Sequence, residues 1–196
     1  HRILFDPFPA YVNFPFHRVK ADVVSVSHQH SDHNHLDKVE GKPLVVDTGG
    51  IHEPMPGIRL TGVSAFHDDH GGSLRGISLC MILQAEGLKI THLGELGMVP
   101  DEALRRQLFM PDILLIPVGG TYTLDARAAR QTVDALQPRI VIPMHYRTEQ
   151  GGLENLTTLA PFLEAMAPAR ASAQPLLRVT REDLSQQPRL VELQVR

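Results

Sequence analysis

Four histidines and an aspartate fall within the eight positions from 28 to 35, and these residue types are suited to binding metal ions. The segment reads Ser27-His28-Gln29-His30-Ser31-Asp32-His33-Asn34-His35. Imidazole and carboxylate groups are the ligands that Zn²⁺, Mn²⁺ or Fe²⁺ take in proteins when no thiolate is offered. A chance cluster of surface histidines is the alternative. The ordered spacing directly after an apolar segment favours a metal site.

The segment that must position these side chains is Asp22-Val23-Val24-Ser25-Val26-Ser27, which is rich in β-branched residues and predicts a buried strand. Side chains alternate along a strand, so His28 and His30 would project to the same side if the chain stays extended. A turn after them would bring Asp32 and His33 round to face them. The sequence therefore predicts two adjacent sets of ligands at the carboxyl end of a strand.

Two further predicted strands end in a histidine. The alternating segment 58–66 runs into His67-Asp68-Asp69-His70, and the apolar segment 139–144 runs into His145. An Asx-rich turn is the alternative for the first, and a lone histidine after a strand is more often structural. With the 28–33 cluster in place, we favour His67 and His145 as metal ligands, and we do not expect His70 to be one.

A carboxylate follows another predicted strand. The segment 87–93 predicts a turn and a strand, and Gly94-Glu95-Leu96-Gly97 comes next. Glycines on either side of an acidic residue allow backbone to approach an ion closely. Glu95 is therefore another candidate ligand.

Strands and helices alternate along the chain, which is typical of an α/β fold. We expect one domain over residues 1–196, with a loop at 7–20 that either overhangs a site or covers the core. The predicted strands are 2–5, 22–27, 42–47, 58–66, 76–85, 87–93, 113–118, 139–144, 176–180 and 189–195. The predicted helices are 101–109, one from Thr123 or Asp125 to about 136, and 153–167 with a break or fresh start at Pro161.

Composition excludes several classes of protein. The formal net charge of −3 and the absence of a basic run argue against a nucleic-acid groove. No apolar stretch approaches the roughly 20 residues of a membrane span, and no secretory signal is present. The single cysteine, Cys80, rules out an internal disulfide and is expected in the core. We therefore expect a cytoplasmic protein with a small-molecule substrate and neither a nucleic-acid nor a membrane partner.

Taken together, these motifs resemble the metallo-β-lactamase superfamily, within the branch of small metal-dependent hydrolases related to ascorbate-6-phosphate lactonase. The resemblance rests on the His-x-His-x-Asp-His motif at 28–33 and on segments spread over nearly the whole chain. These are Leu4-Phe5-Asp6-Pro7, Phe66-His67-Asp68-Asp69, His92-Leu93-Gly94-Glu95-Leu96-Gly97, Leu115-Ile116-Pro117-Val118-Gly119-Gly120 and Val141-Ile142-Pro143-Met144-His145-Tyr146. The resemblance implies an αβ/βα four-layer sandwich with a two-metal site along one edge.

Family members usually open with an extra strand carrying a Gly-His-Ser-type turn, which this sequence lacks. Whether the first sheet has all its strands is therefore left open, and a missing strand would expose an edge that a second copy could cover.

The resemblance also implies a set of ligands. One metal would take His28, His30 and His67, and the other would take Asp32, His33 and His145. The family's bridging aspartate is replaced here by Glu95, whose extra methylene extends the reach of the carboxylate by about 1.5 Å. Glu95 would either bridge both ions or bind one ion only and weaken the second site. Four further residues are expected to orient the ligands through hydrogen bonds, or to have a structural role, without binding a metal themselves: Asp6, His35, His92 and Asp68.

The implied activity is that of a metal-dependent hydrolase. Two divalent ions, zinc first with manganese or iron as alternatives, would hold a hydroxide that attacks a lactone, an amide or a phosphoester. Asp32 is the expected acid–base residue, and Tyr146 or Thr121 would donate a hydrogen bond to the substrate. A non-catalytic or mononuclear metal-binding protein, weakened at the second site by Glu95, is the first alternative. A structural domain that binds no metal is the second.

Overall fold

The computed structural model describes residues 1–15, 17–185 and 188–194, which form thirteen strands and three α-helices. The strands are β1 (Ile3–Phe5), β2 (Val19–Lys20), β3 (Val23–Ser25), β4 (Val39–Glu40), β5 (Leu44–Val46), β6 (Gly50–Met55), β7 (Ile58–Phe66), β8 (Ile77–Ala85), β9 (Leu88–His92), β10 (Ile113–Pro117), β11 (Ile140–Met144), β12 (Ala171–Gln174) and β13 (Arg189–Leu193). The helices are α1 (Glu102–Leu108), α2 (Ala126–Leu136) and α3 (Ala160–Ala165). Two short 3-10 turns, Ala10–Val12 and Arg181–Asp183, complete the set.

The larger of the two main sheets has eight strands in the order β12-β13-β11-β10-β9-β8-β7-β6. Its strands β6 to β9 pair antiparallel, and the rest pair parallel. All three helices pack on one face of this sheet. Leu108 from α1, Leu136 from α2 and Phe162 from α3 are fully buried in one cluster with sheet residues that include Leu114 and Val141.

The second main sheet is small and parallel, in the order β1-β3-β5. Alternation along β3 sends Val23 towards the large sheet, where it packs with Leu60 and Met81, and Val24 to the opposite face. On that outer face Val24 packs with Val39 of β4, part of a two-stranded ribbon with β2. The predicted α/β sandwich is confirmed. Among the described residues, however, helices cover the large sheet only.

This topology collects several strand ends at one edge of the sandwich. Strand β7 is antiparallel to β8 and β8 is antiparallel to β9, so β7, β9, β10 and β11 all run in the same direction. Their carboxyl ends lie side by side, and β3 of the small sheet ends opposite them. The segments that carry the predicted ligands therefore meet although they are far apart in the sequence.

The last part of the chain differs from the sequence prediction. No strand forms at 176–180; instead β12 pairs with β13, and Leu177 and Val179 pack against the core from irregular chain. The predicted helix at 153–167 shortens to α3, with Pro161 in its first turn. Upstream of it, the Thr157 nitrogen donates to the Gly119 carbonyl, so this backbone bonds to the loop after β10 and does not form a helix. Val195, the last residue of the predicted final strand, lies outside the described residues.

Two predictions from composition can be compared with the structure. Cys80 is fully buried in β8, and burial raises the pKa of its thiol to about 12, so it is a core residue. Within the described residues, no helix has the length and apolar content that crossing a bilayer requires.

The glycines around Glu95 serve close packing of protein backbone. The Gly97 nitrogen donates to the Phe66 carbonyl at 3.0 Å, which joins the turn after β9 to the end of β7. A Cβ atom at Gly97 would overlap the carbonyl carbon of His67 and the backbone nitrogen of Asp68. The segments that carry Glu95 and His67 can therefore touch only because residue 97 has no side chain.

We expect Gly97→Ala to lower the free energy of unfolding by about 1 to 3 kcal/mol, because the new methyl group must push two backbone segments apart. Urea denaturation measures this change. Gly49→Ala is the matched control, since a Cβ there meets only ordinary contacts, the nearest at 3.5 Å. Equal stability of the two variants would contradict the packing argument.

Candidate metal centre

Four side chains at the carboxyl edge form a first cluster. One ligand atom from each of His28, His30, His67 and Glu95 lies within 4.8 Å of all the others. The His28 and His30 rings stand edge to face with centroids 4.5 Å apart, as expected for two histidines that project to the same side. Burial and the neighbouring rings of His28 and His67 lower the pKa of His30. Its ring therefore favours the neutral form that binds a metal.

A second cluster shares one residue with the first. Ligand atoms of His33, Glu95 and His145 lie within the same 4.8 Å limit. A hydrogen bond from the His33 nitrogen to the His30 carbonyl at 3.0 Å closes the turn that brings His33 round, as the sequence predicts. His145 follows β11 directly and has a positive φ of 55°.

Glu95 lies between the two clusters, and each carboxylate oxygen faces one of them. Oε2 is 3.0 Å from His28 Nε2 and 2.8 Å from His67 Nε2. Oε1 is 2.6 Å from His145 Nε2 and 3.3 Å from His33 Nε2. Burial alone would raise the pKa of Glu95, but hydrogen bonds from these four histidines hold it far below its usual range. The carboxylate is therefore ionised. The side chain is one methylene longer than that of aspartate, and its two oxygens reach both clusters.

The Asp6 carboxylate orients residues of both clusters through hydrogen bonds. Its Oδ1 accepts the backbone N–H of Ser27 at 2.7 Å, and its Oδ2 accepts the Ser27 hydroxyl at 2.7 Å. The same hydroxyl lies 2.9 Å from His28 Nδ1, and Asp6 Oδ2 lies 3.3 Å from His33 Nδ1. One carboxylate thus orients His28 through Ser27 and His33 directly, which leaves the Nε2 atoms free to face Glu95.

His33 is held between two carboxylates. Burial would lower its pKa, but hydrogen bonds to Asp6 and Glu95 outweigh that effect and raise it to about 10. In the protein without a metal, His33 therefore carries a proton at neutral pH. A metal ion that binds Nε2 has to displace that proton.

Asp68 organises the loop that follows His67. Its two oxygens accept four backbone N–H groups at 2.8 to 3.0 Å, from His70, Gly72, Leu74 and Arg75. Burial acts in the opposite direction, but these hydrogen bonds lower the pKa of Asp68 to about 2. The carboxylate stays charged and fixes the loop, as expected of a residue that supports the site from behind.

Two of the predicted site residues lie apart from the clusters. Asp32 Oδ2 is 3.8 Å from His33 Nε2, so Asp32 stands beside the second cluster, although it is not among the residues whose ligand atoms all lie within 4.8 Å of one another. Tyr146 does not line the cavity at the site; its ring packs against the buried cluster of the large sheet. Thr121 donates its hydroxyl to the Asn155 carbonyl at 2.7 Å. Neither residue lines the cavity, and a contact of Tyr146 with substrate stays a prediction.

The remaining histidines occupy the places expected of residues that do not bind the metal directly. His70 is exposed and pairs with Asp69 at 2.6 Å. His92 stacks on Phe5 with ring centroids 4.9 Å apart and accepts the Gly94 N–H through Nδ1. The His35 backbone nitrogen donates to the Pro7 carbonyl at 2.8 Å, and the His35 ring lies 3.9 Å from the Asp37 carboxylate.

Two serines near the clusters were not singled out from the sequence. Ser27 links Asp6 to His28, and the Ser78 hydroxyl accepts the Glu95 backbone N–H at 3.0 Å. Ser27 directly precedes the histidine motif and could have been suspected from that position. Ser78 is the second residue of the largely apolar strand β8, and no sequence pattern marks it.

The donor set fits divalent metal ions. Five imidazole rings and one ionised carboxylate converge within hydrogen-bonding range, and the rings of His28, His33 and His67 are buried. Buried imidazoles packed around a single carboxylate cannot all be protonated without repulsion. Nitrogen and oxygen donors in this number suit Zn²⁺ and other first-row ions.

We expect Asp6→Asn to weaken metal binding roughly 10- to 100-fold, because a neutral amide holds His33 and Ser27 less strongly than the charged carboxylate does. Competition with a chelating dye measures the affinity. Asp134→Asn is the control, since that carboxylate pairs with Arg130 on the surface of α2. An unchanged affinity in Asp6→Asn would contradict the supporting role.

Comparison with known proteins agrees with this geometry. Residues 1–145 match the family model of the beta-lactamase superfamily domain. The chain is 30% identical over 177 residues to a UPF0173 metal-dependent hydrolase of Thermococcus onnurineus, covering 75% of this chain and 78% of the relative. It is 32% identical over 174 residues to another from Thermoplasma acidophilum, covering 74% and 76%. A Thermotoga maritima crystal structure, described as a candidate zinc-dependent hydrolase of the metallo-beta-lactamase superfamily, superposes with a TM-score of 0.78 at 32% identity over 97% of this chain and 88% of the other. The chain therefore belongs to the metallo-β-lactamase superfamily, among its metal-dependent hydrolases.

Proposed function

We propose that the protein is a hydrolase with a dinuclear metal centre that acts on a lactone, an amide or a phosphoester. The position of Glu95 carries the proposal. Its two oxygens face different histidine clusters at 2.6 to 3.3 Å, which is what a carboxylate shared by two ions requires. The resemblance of the sequence to ascorbate-6-phosphate lactonase favours a lactone within this range.

One ion would be held by His28, His30 and His67 and the other by Asp32, His33 and His145, with Glu95 shared. We infer zinc, with manganese or iron as alternatives, because neutral imidazole and carboxylate donors suit all three. The Thermotoga maritima relative, described as a candidate zinc-dependent hydrolase, supports zinc. Bound ions of this kind supply Lewis acidity, which lowers the pKa of the attacking water and offsets negative charge on the substrate.

Asp32 is the residue placed to move protons. It lines the cavity beside His33 and His145, and its side chain is 22% exposed, so substrate and water can reach it. A carboxylate in this position would accept the proton of the attacking water and return it to the leaving group. Asp32 would combine this role with its place among the ligands of the second ion.

An alternative is a mononuclear enzyme or a non-catalytic metal-binding protein, weakened at the second site by Glu95. Without Asp32 the second cluster has three ligands, His33, Glu95 and His145, whereas the first has four. A site with fewer donors binds its ion more weakly. Metal content separates the two proposals.

We expect two equivalents of metal per chain in the wild type and fewer in Glu95→Asp. Aspartate is shorter by about 1.5 Å, so from this backbone it cannot reach both clusters. Elemental analysis of protein purified without added metal measures the content. Glu164→Asp, at an exposed position on α3, is the control for the same substitution. One equivalent in the wild type would support the mononuclear alternative, and none would overturn the proposal.

We expect Asp32→Asn to lower kcat about 10²- to 10⁴-fold on whichever ester, lactone, amide or phosphodiester the wild type hydrolyses, because proton transfer is lost. Steady-state kinetics on metal-loaded protein measures it, and metal content checks that the centre is intact. Asp37→Asn is the control, since that side chain is 86% exposed in the same loop. Unchanged kcat in Asp32→Asn would assign the proton transfer to another group.

A further inference from the structure

A cavity of about 300 Å³ opens beside the second cluster, next to Asp32, His33 and His145. Away from these residues its walls are apolar. The apolar side chains that line it come from β1 and the loop after it, the end of β11 and the segment after that strand: Phe5, Phe8, Val12, Phe14, Met144, Leu153 and Leu156. A substrate bound at the metal centre would therefore extend into an apolar chamber.

No lysine or arginine is among the described residues that line this cavity. The ionisable side chains on its wall are Asp6, Asp32, His33, His92 and His145, which belong to the metal centre or support it. Arg147 lies nearby in sequence, but its guanidinium donates to the Leu156 carbonyl at 3.3 Å. A phosphate or carboxylate placed at the apolar end of the cavity, away from the metal centre, would lose water and find no lysine or arginine as a counter-charge.

The apolar wall is fixed by specific contacts. The Tyr11 hydroxyl is hydrogen-bonded to the Ser31 hydroxyl at 2.7 Å, and the Gly152 nitrogen donates to the Val12 carbonyl at 3.0 Å. A Cβ at Gly151 would overlap the Asn13 carbonyl and lie 2.9 Å from the Phe14 ring. Two consecutive glycines therefore let the loop that carries Val12 and Phe14 close against the segment after β11.

We propose that this cavity binds a neutral, apolar group of the substrate, so that the bond cleaved is the ester, lactone or amide of an apolar acid. The proposal rests on the hydrolase function above and narrows it, because it places no phosphate or other anionic group in the cavity. Leu153 is the specificity-determining residue to test. It is half-buried on the cavity wall and belongs to neither ligand cluster.

Substrates that differ only in the acyl chain test this preference. On zinc-loaded wild type, we expect kcat/KM to rise from p-nitrophenyl acetate to butyrate to hexanoate by about fourfold for each methylene buried. The mono-p-nitrophenyl ester of adipic acid has the same chain length as the hexanoate but ends in a carboxylate. We expect it to react roughly tenfold or more slowly, because the cavity offers that charge no partner.

Leu153→Arg supplies the missing counter-charge. We expect this variant to lose the preference for hexanoate and to gain rate on the adipate ester, so that the ratio of the two inverts. Leu176→Arg is the matched control, because Leu176 is 50% exposed and does not line the cavity. It should keep the wild-type ratio. An unchanged ratio in Leu153→Arg, or a flat response to chain length in the wild type, would overturn the proposal.

Binding without turnover separates this proposal from the hydrolase function. Isothermal titration with hexanamide and with adipamic acid, its carboxylate-terminated analogue, should show tighter binding of hexanamide to wild type and the reverse in Leu153→Arg. If no ester is hydrolysed but this pattern holds, the hydrolase proposal fails and the apolar cavity stands. If esters are hydrolysed while neither probe discriminates, the cavity assignment fails alone.

Discussion

The arrangement at the carboxyl edge depends on one buried carboxylate surrounded by imidazoles. Glu95 is 3% exposed and meets four histidines through its two oxygens. A buried charge is costly unless it is paired, and here every pair comes from a different strand end or turn. The same interaction that satisfies Glu95 therefore draws together the ends of β3, β7 and β11. Glutamate in place of the family's aspartate is accommodated because its two oxygens span the gap between the clusters.

The second layer of the centre explains why the ligands hold their orientation. Asp6 binds the Ser27 backbone and hydroxyl and the His33 ring, so its single carboxylate controls residues of both clusters. Asp68 fixes the loop after His67 through four backbone N–H groups. Close backbone contact at Gly97 joins this loop to the turn that carries Glu95. The ligand set is thus supported by charge and by backbone packing at the same time.

Beside this charged centre the protein presents an apolar wall. The chain from β1 to β3 supplies Phe8, Val12 and Phe14, and the segment after β11 supplies Leu153 and Leu156. The two segments close on each other at Gly151 and Gly152, where side chains would collide. The residues of the two clusters therefore lie at strand ends and in the turns that follow them, whereas most of the apolar residues lie in connecting loops.

The sequence by itself determined the ligand types and most of the elements that carry them, because strand alternation and the spacing at 28–33 are local properties. His28, His30, His33, His67, Glu95 and His145 were all singled out from the sequence, and all six lie in the clusters. Only the tertiary structure decided the rest. It placed Asp32 beside the second cluster and the half-buried Tyr146 ring against the core of the large sheet. It also showed that residues 171–174, and not 176–180, form the strand beside β13. The roles of Ser78 and of the apolar cavity wall could not be predicted from the sequence either, because contacts between sheets and loops leave no pattern along the chain.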